Sequence, residues 1–125
     1  MMNFETFENL VVTLWESGYS EWYSVKQSSL TAISNKYPDM EGEPFSLKLA
    51  RYLWDGNKLP LWDEYGEERM GSLSLTGKYA SLNDLVMAFA SEYPEHYADI
   101  KYDNADAVTA DSFFQFSVLG DIEFA

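Results

Sequence analysis

Asp111-Ser112-Phe113-Phe114-Gln115-Phe116-Ser117-Val118-Leu119-Gly120-Asp121-Ile122-Glu123-Phe124 is the stretch on which the fold turns. Phe114, Phe116 and Val118 alternate along the chain, Gly120-Asp121 reads as a turn, and Ile122-Glu123-Phe124 reads as a returning strand. A helix capped by Asp111 and stopped by Gly120 accounts for the same residues. Short apolar runs occur in buried strands and in buried helices, so their period alone does not separate the two. Just upstream, Ile100 and Tyr102 fit a further short strand.

Moving N-terminally, the pattern becomes clearer. Leu82, Leu85, Val86, Phe89 and Tyr93 hold one helical face. Ser81 is its cap, with Asp84 three residues on as a variant capping box, and Pro94 lies beyond its end. Leu73 and Leu75 alternate with serines as a short strand that Thr76-Gly77 turns. Asn57 to Gly71 reads as a loop carrying Pro60, Trp62 and Tyr65. Before it, Phe45, Leu49, Tyr52 and Leu53 make the buried face of a helix that Pro44 starts and Gly56 stops. Tyr37-Pro38-Asp39 and the Pro/Gly/acid segment 38–44 form a turn and loop. Ser20 to Lys36 is either one loose helix or a short strand, Glu21 to Lys26, followed by a helix from Ser29. The first helix runs from about Phe4 to Ser17, with Asn3 as its cap and Gly18 as its stop. No linker divides the chain. The expectation is one α+β domain over residues 1–125, with about four helices and a small antiparallel sheet.

At 125 residues, the chain is long enough to bury a core without crosslinks, and its 46% hydrophobic and 17% aromatic content is too high for a disordered chain. It has no cysteine, which removes disulfides and thiolate zinc sites. The start, Met1-Met2-Asn3-Phe4-Glu5, lacks a basic region and a long apolar run, and no apolar stretch approaches membrane-span length. The expected location is the cytoplasm.

The formal net charge is -13, from 21 acids and 8 bases. It is unevenly spread: residues 61–125 hold thirteen acids and three bases, and no base follows Lys101. The eight bases form no run or stripe, so the electrostatic footprint for direct nucleic-acid binding is missing. A field of this sign repels nucleic acid and anionic membrane and speeds encounter with basic surfaces. The same acidity also serves solubility alone in many proteins.

Catalytic and metal motifs are sparse. His96 is the single histidine. With Asp99 it would form a base and orienter, yet no nucleophile elbow presents a serine. Gly66-Glu67-Glu68-Arg69-Met70-Gly71 has phosphate-loop glycine spacing, but Ser72 and Leu73 replace the lysine and hydroxyl, and two glutamates would repel phosphate. Asp55-Gly56-Asn57 and Asp103-Asn104-Ala105-Asp106 lack the full calcium loop. No metal or cofactor is expected. An enzyme working with carboxylates alone would need a cleft that the sequence does not reveal.

What remains is acids interleaved with aromatics. Trp62, Asp63, Glu64, Tyr65, Glu67 and Glu68 share a loop, and Glu92, Glu95, Asp99, Asp103, Asp106 and Asp111 recur every three to five residues. Trp and Tyr are enriched in interface hot spots. These twelve residues are the candidate partner-binding face, with Trp62 and Tyr65 as anchors. The expected partner is a basic protein, a nuclease or other nucleic-acid-binding complex, occluded without chemistry. Small acidic inhibitors of restriction and CRISPR enzymes, and immunity partners of toxic nucleases, are analogous in character without a shared motif. The alternative is an adaptor or assembly module that binds through its aromatics, with acidity for solubility.

Overall fold

The computed structural model describes residues 2–124. Six α-helices and a two-stranded antiparallel sheet form one α+β domain among these residues, two helices more than expected. In chain order they are α1 (Phe4–Ser17), α2 (Gln27–Lys36), α3 (Phe45–Trp54), β1 (Leu59–Trp62), β2 (Arg69–Leu73), α4 (Leu82–Glu92), α5 (Pro94–Lys101) and α6 (Ala107–Leu119), with a 3-10 turn at Pro38–Met40. None of the described helices is long and apolar enough to cross a membrane.

The first and fourth helices begin and end where their signals lie. Asn3 Oδ1 accepts the Thr6 amide at 2.9 Å, and Gly18 closes α1 in the left-handed conformation that lacks a Cβ penalty. Ser81 Oγ accepts the Asp84 amide at 3.0 Å. Pro94 does end α4, but it also opens α5, where its missing N–H is no loss. Ile100 is therefore the buried anchor of a helix and Tyr102 its C-cap, which corrects the strand expected there.

Residues 111–119 belong to helix α6, and Ile122-Glu123-Phe124 form no strand, which corrects the alternating-strand reading of this stretch. The cap of α6 is Asp106 rather than Asp111: Asp106 Oδ1 accepts the Thr109 amide at 3.0 Å, and Gly120 ends the helix in the left-handed region. Every residue from Thr109 to Val118 is buried. A helix enclosed on all sides has no polar face, so its 3.6-residue period is invisible and chance alternation mimics a strand. Helix α6 packs on α1, α4, α5 and β2 and is the centre of the core. Phe89 of α4 meets Phe113 and Phe116 at centroid distances of 5.2 and 5.5 Å, and Phe7 of α1 meets Phe114 at 6.1 Å. Truncating such a ring costs about 3–5 kcal/mol.

Segment 57–71, expected as a loop, contains β1 and the start of β2. Leu59, Leu61 and Leu73 are fully buried, so one face of the hairpin covers the core. Pro60 is tolerated because of which edge it faces. Two residues on, Trp62 turns both its N–H and its C=O outward to Ser24, at 2.9 and 2.7 Å. By the two-residue repeat, the nitrogen of Pro60 faces that same outer edge, so pairing with β2 loses no donor. A bulge lies between Leu61 and Trp62, where β2 carries an extra residue. Gly71 follows at φ 116°, and a Cβ there would lie 3.0 Å from Val118 Cγ1, so glycine lets β2 approach α6. The Ser24–Trp62 bridge precedes α2, which matches the strand-then-helix reading of 20–36 more closely than the single helix.

Candidate functional site

A cleft of about 460 Å³ opens where three distant segments converge on α6. Tyr19, Ser20, Glu21 and Trp22 form one wall, Asp63, Glu64, Tyr65 and Met70 of the hairpin form another, and Phe124 and Asp111 complete it. The main-chain bridge of Ser24 to Trp62 fixes the first wall against the second, and Ser24 Oγ adds a bond to the Asp63 carbonyl at 2.6 Å.

Asp111 lies at the base of the cleft and is only 4% exposed. Its Oδ1 accepts the Trp22 indole N–H at 2.8 Å and the Ser20 hydroxyl, and its Oδ2 accepts the Gln115 amide at 2.7 Å. These neutral donors satisfy the carboxylate, and no cation pairs with it among the described residues. Burial, followed by the nearby Asp111 charge, pushes the Tyr23 hydroxyl far above the usual phenol range. Gln115 in turn holds the tail. Its Oε1 accepts the amides of Glu123 and Phe124 at 2.9 and 2.8 Å, and its Nε2 donates to the Phe124 carbonyl at 2.8 Å. The Phe124 ring then stacks on Trp22, with centroids 6.2 Å apart and planes 10° apart.

The hairpin loop is ordered by its own acid. Asp63 Oδ1 accepts the Glu67 amide at 2.8 Å, and this bond, aided by the Glu68, Tyr65 and Gly66 amides, holds its carboxyl below the usual range. Lys26 Nζ donates to the Gly66 carbonyl at 2.7 Å. Glu64, Glu67 and Glu68 are exposed, and Tyr65 is 78% exposed at the rim.

The twelve predicted residues therefore divide. Asp63, Glu64, Tyr65 and Asp111 come together in the cleft, with Glu67 and Glu68 on the adjoining loop. Asp111 does so as a buried structural carboxylate, not as the surface acid expected. Trp62 does not line the cleft. Lys26 Nζ lies 4.6 Å from its ring centroid and Arg69 Cζ 5.6 Å, so the chain's own cations already occupy it. Glu92, Glu95 and Asp99 belong to α4 and α5, Asp106 caps α6, and Asp103 borders a smaller hollow beside Thr6 and Ile100. None of these five lines the cleft.

Tyr19, Ser20, Glu21, Trp22, Met70, Gln115 and Phe124 were not identified from the sequence. Only the short strand read at Glu21 to Lys26 hinted at an extended wall there. The cleft lining contains four acids and four aromatics and no Lys, Arg or His. Such a lining suits a cation, whose charge meets carboxylates and whose faces meet aromatic rings. His96 packs on Phe89 at a centroid distance of 6.3 Å, and no described hydrogen bond joins it to Asp99. No group of three or more described His, Asp or Glu side chains is placed to share a metal ion. Comparison with protein families, with characterised proteins and with solved structures gives no match for this chain.

Proposed function

We propose that this domain is a non-enzymatic inhibitor that binds a basic, nucleic-acid-handling protein and occludes its Lys/Arg surface. The observation that carries the reading is the cleft, which gathers four carboxylates and four aromatic side chains without one base. Surface acids alone are weak anchors, since a single exposed ion pair contributes only about 0.2–1 kcal/mol. The few hot-spot residues of an interface, enriched in Trp and Tyr, cost about 2 kcal/mol or more each when truncated. Carboxylates beside exposed Tyr65 combine long-range steering with short-range anchoring, and the net charge of -13 supplies the steering field.

The test is capture from a lysate of the source cells on immobilised protein, followed by competition with duplex DNA and with RNA. The reading expects a basic nucleic-acid-binding protein that elutes with salt and that nucleic acid displaces. A neutral partner resisting 1 M salt, where charges are screened beyond about 3 Å, supports instead an adaptor docking through the same aromatic rim.

A further inference from the structure

We infer that the cleft beside Asp111 is a receptor for a single arginine side chain of the partner, a reading that rests on the proposed binding of a basic protein. The cavity, about 460 Å³, is within the size range of small-ligand pockets, about 300–1,000 Å³, whereas two hollows that border Thr6 and Ile100 hold about 240 and 220 Å³. It is more than a group of acids, because its walls are aromatic and its base is a buried carboxylate whose three hydrogen bonds come from neutral donors. A cation entering the cleft supplies the counter-charge that Asp111 lacks. Glu21 on one wall and Glu64 on the other take part in no described hydrogen bond or ion pair, so both carboxylates are available to a ligand. Tyr65, 78% exposed, stands free at the mouth. Guanidinium is favoured over ammonium by this arrangement. Its plane stacks on aromatic rings, its fork reaches carboxylates on two sides, and it sheds water more easily than a lysine head group.

The indole N–H of Trp22 reports on the site, because it is bonded to Asp111 at the cleft base. Nitrogen-15-labelled protein is titrated with N-acetyl-arginine amide, N-acetyl-lysine amide and N-acetyl-glycine amide while the Trp22 indole resonance is followed. The inference expects a saturable shift with the arginine probe, weaker binding of the lysine probe and no shift with the glycine probe. The E21Q/E64Q double variant should keep the fold, read from the dispersion of its amide resonances, and weaken the arginine probe by about tenfold against its own free-protein indole resonance, as two ion pairs of about 0.7 kcal/mol would. Equal shifts with all three probes, equal binding of the lysine probe, or arginine binding unchanged in the double variant would overturn it. If the arginine probe behaves as expected and no basic protein is captured, the site stands and the inhibitor reading fails. If a basic protein is captured equally by wild type and E21Q/E64Q and the probe does not bind, the inhibitor reading stands and the arginine site fails.

Discussion

Gln115 holds Phe124 by both of its main-chain groups: the side-chain oxygen accepts the Phe124 N–H and the side-chain nitrogen donates to the Phe124 carbonyl, each at 2.8 Å. A buried amide at the middle of α6 thus fixes the tail across the cleft. Gln115→Ala removes these bonds together with the one to Asp111. The loss of a buried partner costs about 1–3 kcal/mol. The expected result is that much lower stability in urea, faster hydrogen exchange at the Phe124 amide and a changed Trp22 emission. Unchanged exchange at Phe124 would show that the ring stack alone holds the tail.

Asp111 and the surface acids should separate sharply on mutation. Asp111→Ala strands the Trp22 indole N–H and the Ser20 hydroxyl, leaves the Gln115 amide nitrogen with only the Phe124 carbonyl, and is expected to cost roughly 1–3 kcal/mol. Glu92→Gln and Glu95→Gln alter exposed side chains and should stay within about 0.5 kcal/mol. Chemical denaturation of the three variants measures the contrast, and an Asp111→Ala protein as stable as the other two would contradict the placement of this carboxylate.

Gly77 and Ser117 make a second test of α6 packing. A methyl group at Gly77, where φ is 56°, would overlap Ser117 Oγ and come within 2.5 Å of the Ser117 carbonyl oxygen. Gly77→Ala should therefore cost more than Gly18→Ala, whose added methyl meets open space and carries only the left-handed penalty of about 1–2 kcal/mol. Ser117 Oγ is buried and has no hydrogen-bond partner among the described residues. Ser117→Ala removes an unpaired hydroxyl and is expected to leave stability unchanged or slightly higher. Thermal melts of the three variants give the order.

Stability should pass through a maximum below neutral pH. The described ion pairs all involve Arg51, with Asp39 at 2.6 Å and Asp55 at 4.0 Å, so most of the negative charge is uncompensated and repels itself at pH 7. Partial protonation relieves that repulsion. Against it, Asp63, Asp106 and Asp121 have carboxyls held below the usual range, by the Glu67 amide, the Thr109 amide and the Tyr93 hydroxyl respectively. A depressed folded value stabilises fully above the unfolded pKa and is lost as pH falls through the folded one. The melting temperature is expected to peak near about pH 5, fall on further acidification, and rise with added salt at pH 7. Asp106→Asn keeps an acceptor oxygen for Thr109 but cannot take up the proton, so its acid limb should be shallower than wild type.

How much of this was legible depended on exposure. Helices α1, α3 and α4 have one wet face and end signals such as Asn3, Gly18 and Ser81, so their pattern survives in the sequence. Helix α6 has no wet face between Thr109 and Val118, and its cap, Asp106, lies five residues before the acid that seemed to fill that role. The hairpin has strands of four and five residues and a proline whose harmlessness depends on which edge it faces. In the site, the loop from Asp63 to Glu68 was readable as acid and aromatic. The opposite wall was not, because the bonds that join Ser20 and Trp22 to Asp111 span 91 and 89 residues. No local spacing encodes such a meeting.

The central claim is that the acidic, aromatic cleft is the face that meets a basic partner. A photo-crosslinking amino acid placed at Tyr65, on the rim, and separately at Met87, 63% exposed on α4 and not part of the cleft, tests it directly in the lysate of the source cells. The predicted result is a covalent adduct from position 65 to a basic nucleic-acid-binding protein, lost in the E21Q/E64Q background, with no such adduct from position 87. Capture of that protein with adducts from position 87 and none from position 65 would contradict it.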